Sequence, residues 1–410
     1  MEKILILGAG PFQLPLIKKA KEMGVYVVVI APHEKYPGIS VADKAYFHDA
    51  KDEEFAFEVA KKEKVNGVIS DQGEIFVRAV AYAAEKAGLP GNPYKTALIY
   101  TNKYKMREKS RELGLATIDS RKARTLEETI KAFKEFDGNA IIKPVDSSAS
   151  RGIFKIENEN ELRAHFEETM SFSMSGELII EEFIEGPQLE VNSIAVGGKI
   201  KPLMYADLED FSIPNVFSSK KRLYPSAADK EVVNRLLEYN QKINEGFGMI
   251  QGLSHNEYVM DGKTGEIYLI EAALRGGGNF VGSDIAPLQT GLDMEEFLVN
   301  VSLGKLQEVP EFEMNQCHCA VVSFYMPYGE IISMDGTDEV ESLEYVVNTK
   351  FNLFKEGNHT DKISDKRQRC TIVLYGNSRK QILERIEEIK GKLDIKVRTD
   401  EGEIRGPIWD

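Results

Sequence analysis

The chain opens on the apolar run Lys3–Gly8, followed at once by the turn residues Ala9-Gly10-Pro11. A short apolar run between turn signals reads as a buried strand. A helical pattern over Phe12–Met23, stopped by Gly24, leads into the β-branched run Val25–Ile30. The alternation repeats as helix Glu53–Lys64, strand Gly67–Ser70 and helix Glu74–Ala87, ended by Gly88-Leu89-Pro90-Gly91. Apolar strands alternating with helices predict an open, mostly parallel α/β sheet.

The pattern then changes. Asn92–Gly114 reads as helix, and Ala123–Phe136 as a strand end followed by a helix. Ala140–Val145, Ile153–Ile156 and Glu177–Phe183 read as strands, with a helix over Glu159–Thr169. Gln188–Val196 and Lys199–Tyr205 form a hairpin through Gly197-Gly198. Asp210–Leu223 has no clear period, and its Lys220-Lys221-Arg222 predicts a mobile basic loop. Ser226 is placed to cap a long helix, Ala227–Phe247. Gly252–Met260 and Glu266–Ala273 are two strands around Asp261-Gly262-Lys263-Thr264-Gly265, and a helix follows over Met294–Leu303. The last hundred residues predict a small α+β appendage. Its strands are Cys319–Pro327, Glu330–Ser333, Tyr345–Val347, Cys370–Gly376 and Ile395–Val397, with a helix over Arg379–Leu393.

Chemistry concentrates in the middle of the chain. Glu271 ends an apolar run, where a lone buried charge is costly, so it needs a partner or a metal. Glu257 lies on the preceding strand, and opposed side chains on neighbouring strands sit about 5 Å apart. Such a pair suits a hard cation such as Mg²⁺; the alternative is a surface hairpin with solvated acids. Arg275 and Gly276-Gly277-Gly278 follow, offering an anion clamp and a backbone open to close approach. Lys143 interrupts a buried-looking strand, which calls for an anionic partner. It precedes Asp146-Ser147-Ser148-Ala149-Ser150-Arg151-Gly152, a small-residue loop able to fold over phosphates or to serve as a plain turn. Gly8-Ala9-Gly10 invites a dinucleotide reading, but Gln13 stands where a third glycine belongs and no acid ends the second strand. The glycines then hold an anion or serve packing alone. Cys317-His318-Cys319 has no second ligand pair at a zinc-like spacing.

Composition narrows the partners. With 410 residues the chain is long enough for two or three domains. A formal net charge of −14 argues against nucleic acid or an anionic membrane as the main partner. Three cysteines and no signal-peptide pattern suit a cytoplasmic protein, and no apolar run approaches the ~18 residues that span a membrane.

With these residues laid out, the chain resembles the ATP-grasp superfamily of carboxylate–amine ligases. The resemblance rests on Asn102-Lys103, Ile141-Ile142-Lys143-Pro144 with its Ser/Gly loop, Glu181-Glu182-Phe183-Ile184-Glu185-Gly186, Tyr224-Pro225-Ser226, and Glu257 with Glu271 and Arg275. It implies a Rossmann-like sheet over residues 1–95 and an ATP-grasp domain over 96–305, with a lid at about 121–185. A small α+β domain would fill 306–410. It implies ATP and Mg²⁺ (or Mn²⁺) as cofactors, and an acid and an amine as small-molecule substrates. Lys103 and Lys143 would contact nucleotide phosphates, under a lid of Ser147, Ser148, Ser150, Arg151 and Gly152. Glu181, Glu182, Phe183 and Ile184 would hold adenine, and Gln188 or Glu190 the ribose. Glu257 and Glu271 would bind metal, and Arg275 with Lys143 would be catalytic. A homodimer is plausible by the same resemblance. Two departures stand out: Ala273 replaces a metal-binding Asn, and Gln188 replaces a ribose-binding acid. The first leaves open a non-catalytic ATP sensor. A purine-pathway ligase acting on a ribonucleotide is a further alternative, and His255 could orient metal or substrate or simply pack.

Overall fold

The structure, a computed structural model, describes residues 1–136, 138–314, 317–361, 363 and 369–410. Lys3–Leu7 (β1), Tyr26–Ala31 (β2), Lys44–Phe47 (β3) and Gly67–Ile69 (β4) form the expected parallel sheet, in the order β3-β2-β1-β4. Ile4–Leu7 and Val27–Ala31 are wholly enclosed, which is why these strands are apolar without alternation. The glycine turn after β1 is filled by the protein itself. Gly8 takes φ +86°, and a Cβ there would meet Phe76 at 2.9 Å and the Gln13 amide oxygen at 3.0 Å. The Gln13 amide nitrogen donates to the Asp71 carbonyl at 2.8 Å. These contacts give the glycine a packing role.

A second sheet combines Ser120–Ala123 (β5), Ala140–Pro144 (β6), Phe154–Ile156 (β7) and Leu178–Glu182 (β8) in the antiparallel order β5-β8-β6-β7. Helices Leu126–Phe133 and Glu159–Ser171 cover its outer face through Phe133, Leu162 and Phe166. The largest sheet is built from Gln188–Val196 (β9), Lys199–Asp210 (β10), Ser219–Tyr224 (β11), Gly252–Met260 (β12), Ile267–Ala273 (β13) and His318–Tyr325 (β14). Glu330–Asp335 (β15) lies outside it, and Val346–Thr349 (β16) and Arg369–Gly376 (β17) complete it in the order β13-β12-β9-β10-β11-β14-β17-β16. A small sheet joins β15 to Asp394–Arg398 (β18) and Ile404–Arg405 (β19).

Several expectations change here. The last hundred residues are α+β as expected, but β14, β17 and β16 extend the central sheet rather than hang from it. Lys220-Lys221-Arg222 is not a mobile loop. It lies in β11, paired to β10 and β14, with Arg222 buried between carboxylates. Its charges hid the strand, because the acids that neutralise them, Asp410, Glu209, Glu190 and Glu257, lie far from it in the sequence or on other strands. The helix expected over Asn92–Gly114 is two helices, Tyr94–Tyr100 and Lys103–Glu112, since Asn102 leaves the helix and caps the second one at Lys105 N. The long helix starts at Lys230, and the Ser226 hydroxyl bonds Asp207 and Ala228 N instead of capping it.

The connection from β8 to β9 docks on the tip of the β12–β13 hairpin. Met260 N donates to Pro187 O at 2.9 Å, and Gly262 N to Glu185 O at 2.9 Å. A Cβ on Gly186 would lie 1.9 Å from Met260 O, so only glycine fits. Gly186→Ala is expected to destabilise the fold by about 1–3 kcal/mol, the usual cost of overpacking. Gly391→Ala, in an open helical position, should raise stability by about 0.5–1 kcal/mol. Urea unfolding of both variants checks the contrast.

Candidate functional site

Two adjoining cavities lie between the four-stranded antiparallel sheet β5–β8, the central sheet and the turn after β4. The first, about 320 Å³, runs between the β6 side and strands β9–β13. Lys143, Ser147, Ser148, Ser150, Glu182, Phe183, Ile184 and Gln188 line it, with Lys103, Glu257 and Glu271 at one end. Ile118, Ile141, Leu208, Phe211, Phe217, Val259 and Ile270 add apolar wall to this slot. The second, about 520 Å³, holds Gln72, Glu74, Arg222, His255, Ala273, Arg275, Asn279, Lys350 and Arg369. Ser148, Glu257 and Glu271 belong to both walls.

The shared wall follows from strand register. Glu190, Glu257 and Glu271 stand opposite one another across β9, β12 and β13. Each carboxylate meets a cation. Lys103 Nζ lies 2.7 Å from Glu271 and donates to Ser147 O at 2.7 Å. Arg222 bridges Glu190 and Glu257 at 3.0 Å each. Burial opposes charge on Arg222, but Glu190 and Glu257 hold it protonated beyond an ordinary arginine. Among the described residues, Glu190, His255 and Glu257 form the one His/acid group spaced to hold a metal ion. The Arg222 guanidinium already sits between its two acids. The opposed Glu257 and Glu271 present hard oxygen donors to both cavities, with Arg222 and Lys103 as their present partners.

A buried triad fixes the other side. Lys103 and Arg107 are one helical turn apart and project from one face of Lys103–Glu112. Arg107 Nε donates to Glu181 at 2.7 Å and Arg107 Nη2 to Ile270 O at 2.7 Å. Lys143 Nζ donates to the other Glu181 oxygen at 2.7 Å. Burial would raise the Glu181 carboxyl, but Arg107 and Lys143 hold it down at about 2. Burial lowers Lys143, and Arg107 adds to that effect against the pull of Glu181. Two cations thus share one carboxylate, leaving Lys143 a surplus charge at the cavity wall.

The expected site residues are gathered unevenly. Lys103, Lys143, Ser147, Ser148, Ser150, Glu182, Phe183, Ile184, Gln188, Glu257 and Glu271 all reach the first cavity. The Glu181 carboxylate is fully enclosed in the triad behind the wall. Glu190 is likewise enclosed, held by Arg222, Asn192 and the Tyr224 hydroxyl, so of the two ribose candidates only Gln188 lines the slot. Arg151 turns back to Ser148 O and the Phe172 ring, and Gly152, at φ +68°, packs on Phe172. Arg275 lies in the second cavity, where its Nη1 donates to Gly276 O and Nη2 reaches Glu74 at 3.5 Å. His255 bonds Asn192 and Glu257 and also lines that cavity, opposite Ala273.

Sequence reading missed Phe12, Glu74, Lys350, Leu353, Phe354 and Arg369, which come from both ends of the chain to line the second cavity. Burial and Glu271 push the Glu74 carboxyl up to about 7. It also missed Arg107, which looked like one more basic residue on a helix until β8 placed Glu181 against it. The segment Asp210–Phe217 closes the slot. The Ser150 hydroxyl donates to Phe217 O at 2.5 Å, and the Phe217 ring meets Phe183 edge-on at 6.4 Å.

Glu181→Gln leaves Arg107 and Lys143 short of a counter-charge and should cost about 3–5 kcal/mol at neutral pH, the range for breaking a buried ion pair. Because the folded carboxyl is held at about 2 against an ordinary 4.5, this stabilisation is complete above pH 4.5. It is lost as pH falls toward 2. Urea titrations of wild type and variant at neutral and acid pH should therefore converge as pH drops.

Residues 136–283 match the family model described as an ATP-grasp domain. Alanine–anticapsin ligase from Bacillus subtilis is 25% identical over 361 residues, covering 77% of this chain and 74% of that protein. Formate-dependent phosphoribosylglycinamide formyltransferase from Methanocella arvoryzae is 26% identical over 284 residues, covering 67% and 66%. The crystal structure of an L-amino acid ligase from Bacillus licheniformis superposes with a TM-score of 0.81 at 19% identity, over 96% of this chain and 98% of that one. Among the described residues no helix is long and apolar enough to cross a membrane.

Proposed function

We propose that this chain, which belongs to the ATP-grasp superfamily and is an enzyme of its ADP-forming carbon–nitrogen ligase type, activates a small carboxylic acid with ATP and joins it to an amine. The observation that carries this reading is the meeting of two cavities at Glu257 and Glu271. A slot that combines apolar side chains with the segment Glu182–Ile184 suits a purine ring, with Gln188 placed for the ribose. Lys103, Lys143 and the loop Ser147–Ser150 supply cations and donors where phosphates would lie. The acid would occupy the second cavity, beside Arg275, so its carboxylate and the terminal phosphate approach each other at the shared wall.

Mg²⁺ held by Glu257 and Glu271 would neutralise charge on the phosphates during transfer. The protein's own contribution is positioning and electrostatic stabilisation. Lys143 already carries charge beyond what Glu181 can match, so it is preorganised for a phosphate oxygen. A carboxylate oxygen attacks the terminal phosphorus, ADP leaves, and the acyl phosphate stays beside Arg275. The amine then attacks the carbonyl carbon and phosphate departs.

The sensor alternative lacks support, because the nucleotide slot opens onto a second chamber of comparable size. The purine-pathway alternative differs from this reading only in the substrate, and a matrix of acids and amines including phosphoribosylamine-type compounds decides it. ADP release that needs one acid and one amine together is the expected outcome. ATP binding with silence across the matrix, while the second chamber stays accessible to acids, counts against ligation. Lys143→Ala should weaken Mg–ATP binding about tenfold, the loss of one charge-assisted hydrogen bond, measured by calorimetry. Glu271→Gln should cut ADP release by about 100-fold or more, with a smaller loss of nucleotide affinity. Unchanged turnover in that variant would remove the metal assignment.

A further inference from the structure

The second cavity has a charge imbalance that the proposed chemistry does not use. Four of its wall residues are cations: Arg222, Arg275, Lys350 and Arg369. Arg222 is matched by Glu190 and Glu257, and Arg275 faces Glu74. Lys350 and Arg369 have no carboxylate within ion-pair distance among the described residues. Both are nearly enclosed, at 9% and 3% exposure. Lys350 donates to the Asn279 side-chain oxygen and lies 4.6 Å from the centre of the Phe12 ring and 5.3 Å from that of Phe280. Arg369 donates from Nη1 to Ser219 O at 2.6 Å, while its buried Nε has no hydrogen-bond partner.

Buried cations without a carboxylate at ion-pair distance are costly, and these two stand close enough to oppose each other's charge. Burial, then Arg369 and Arg222, push Lys350 down to about 7, and burial with Arg222 lowers Arg369 to about 10 against the opposing pull of Tyr325, Asp210 and Glu257. An oxyanion between them relieves both costs at once. With Nη1 taken by Ser219, the Nε edge of Arg369 remains as a fork suited to a pair of anionic oxygens.

We propose that Lys350 and Arg369 form an anion subsite, and that the acid substrate carries a second anionic group which this subsite selects. The proposal rests on the ligase reading, in which Glu257, Glu271 and Arg275 attend the reacting carboxylate. The second group is an oxyanion, either carboxylate or phosphate. Phe12, Leu353 and Phe354 supply apolar wall nearby, which suits a short carbon stem between the two charges.

Calorimetric titration of the full chain preloaded with Mg–ADP tests this without knowing the amine. The probes are L-glutamate against L-glutamine, L-aspartate against L-asparagine, and O-phospho-L-serine against L-serine. At least one acidic probe should bind about tenfold or more tightly than its neutral counterpart, the scale of one charge-assisted contact. Whether the carboxylate or the phosphate probe wins identifies the second group. Lys350→Met, which keeps the stem against Phe12 and Phe280, should abolish the preference. Arg369→Gln should do the same, and if it fails to fold, Lys350→Met decides. Equal binding of acidic and neutral probes, no binding by any of them, or a preference that survives the substitutions overturns the proposal. Loading separates the two levels: failure to bind Mg–ADP removes the ligase reading and the subsite with it. Binding of Mg–ADP without discrimination removes the subsite alone.

Discussion

Buried charge at the seam between two sheets is the constraint on which the site depends. Glu181, Glu190, Glu257 and Glu271 all lie on strands, and two of them are fully enclosed. Each needs a cation from another element. Arg107 and Lys103 come from one helix, Lys143 from β6 and Arg222 from β11. Because an ion pair this deep tolerates little displacement, the pairs fix how the sheet β5–β8 meets the central one. The β6 side of the seam presents Lys143, and the β12–β13 side presents Glu257 and Glu271 with their partners Arg222 and Lys103. Phosphates bridged by a divalent cation fit that division of charge.

The chamber beyond the seam is assembled from segments far apart in the chain. Phe12 and Glu74 come from the segments after β1 and β4, Arg275 and Asn279 from the segment after β13, Lys350 from just beyond β16 and Arg369 from the start of β17. The last hundred residues therefore help to enclose the chamber. Their attachment through β14 and β17 gives their cations a rigid mount beside Arg222.

This explains what was legible in the sequence. The parallel sheet was, because both faces of β1 and β2 are buried and the apolar runs have no other use. The opposed glutamates were too, since a two-strand hairpin with a glycine turn sets a local register. Arg222 was misread, because a strand whose charges are neutralised by β9 and β12 looks like a solvated loop until those partners are placed. Lys350 and Arg369 carried no signal at all. Neither belongs to a local motif, and only the long-range pairing of β14 with β17 brings them to the chamber. Glu190 shows the converse: its position two residues from Gln188 suggested a shared role, whereas Tyr224 and Arg222 draw it out of the slot.

The central claim is that a carboxylate oxygen becomes covalently joined to the terminal phosphorus at the wall shared by the two cavities. The most direct measurement is to supply the acid with its carboxylate oxygens isotopically labelled and analyse the released phosphate by mass spectrometry. The account predicts one labelled oxygen in each phosphate formed, in step with ADP. Phosphate free of label, with product still forming, would contradict it.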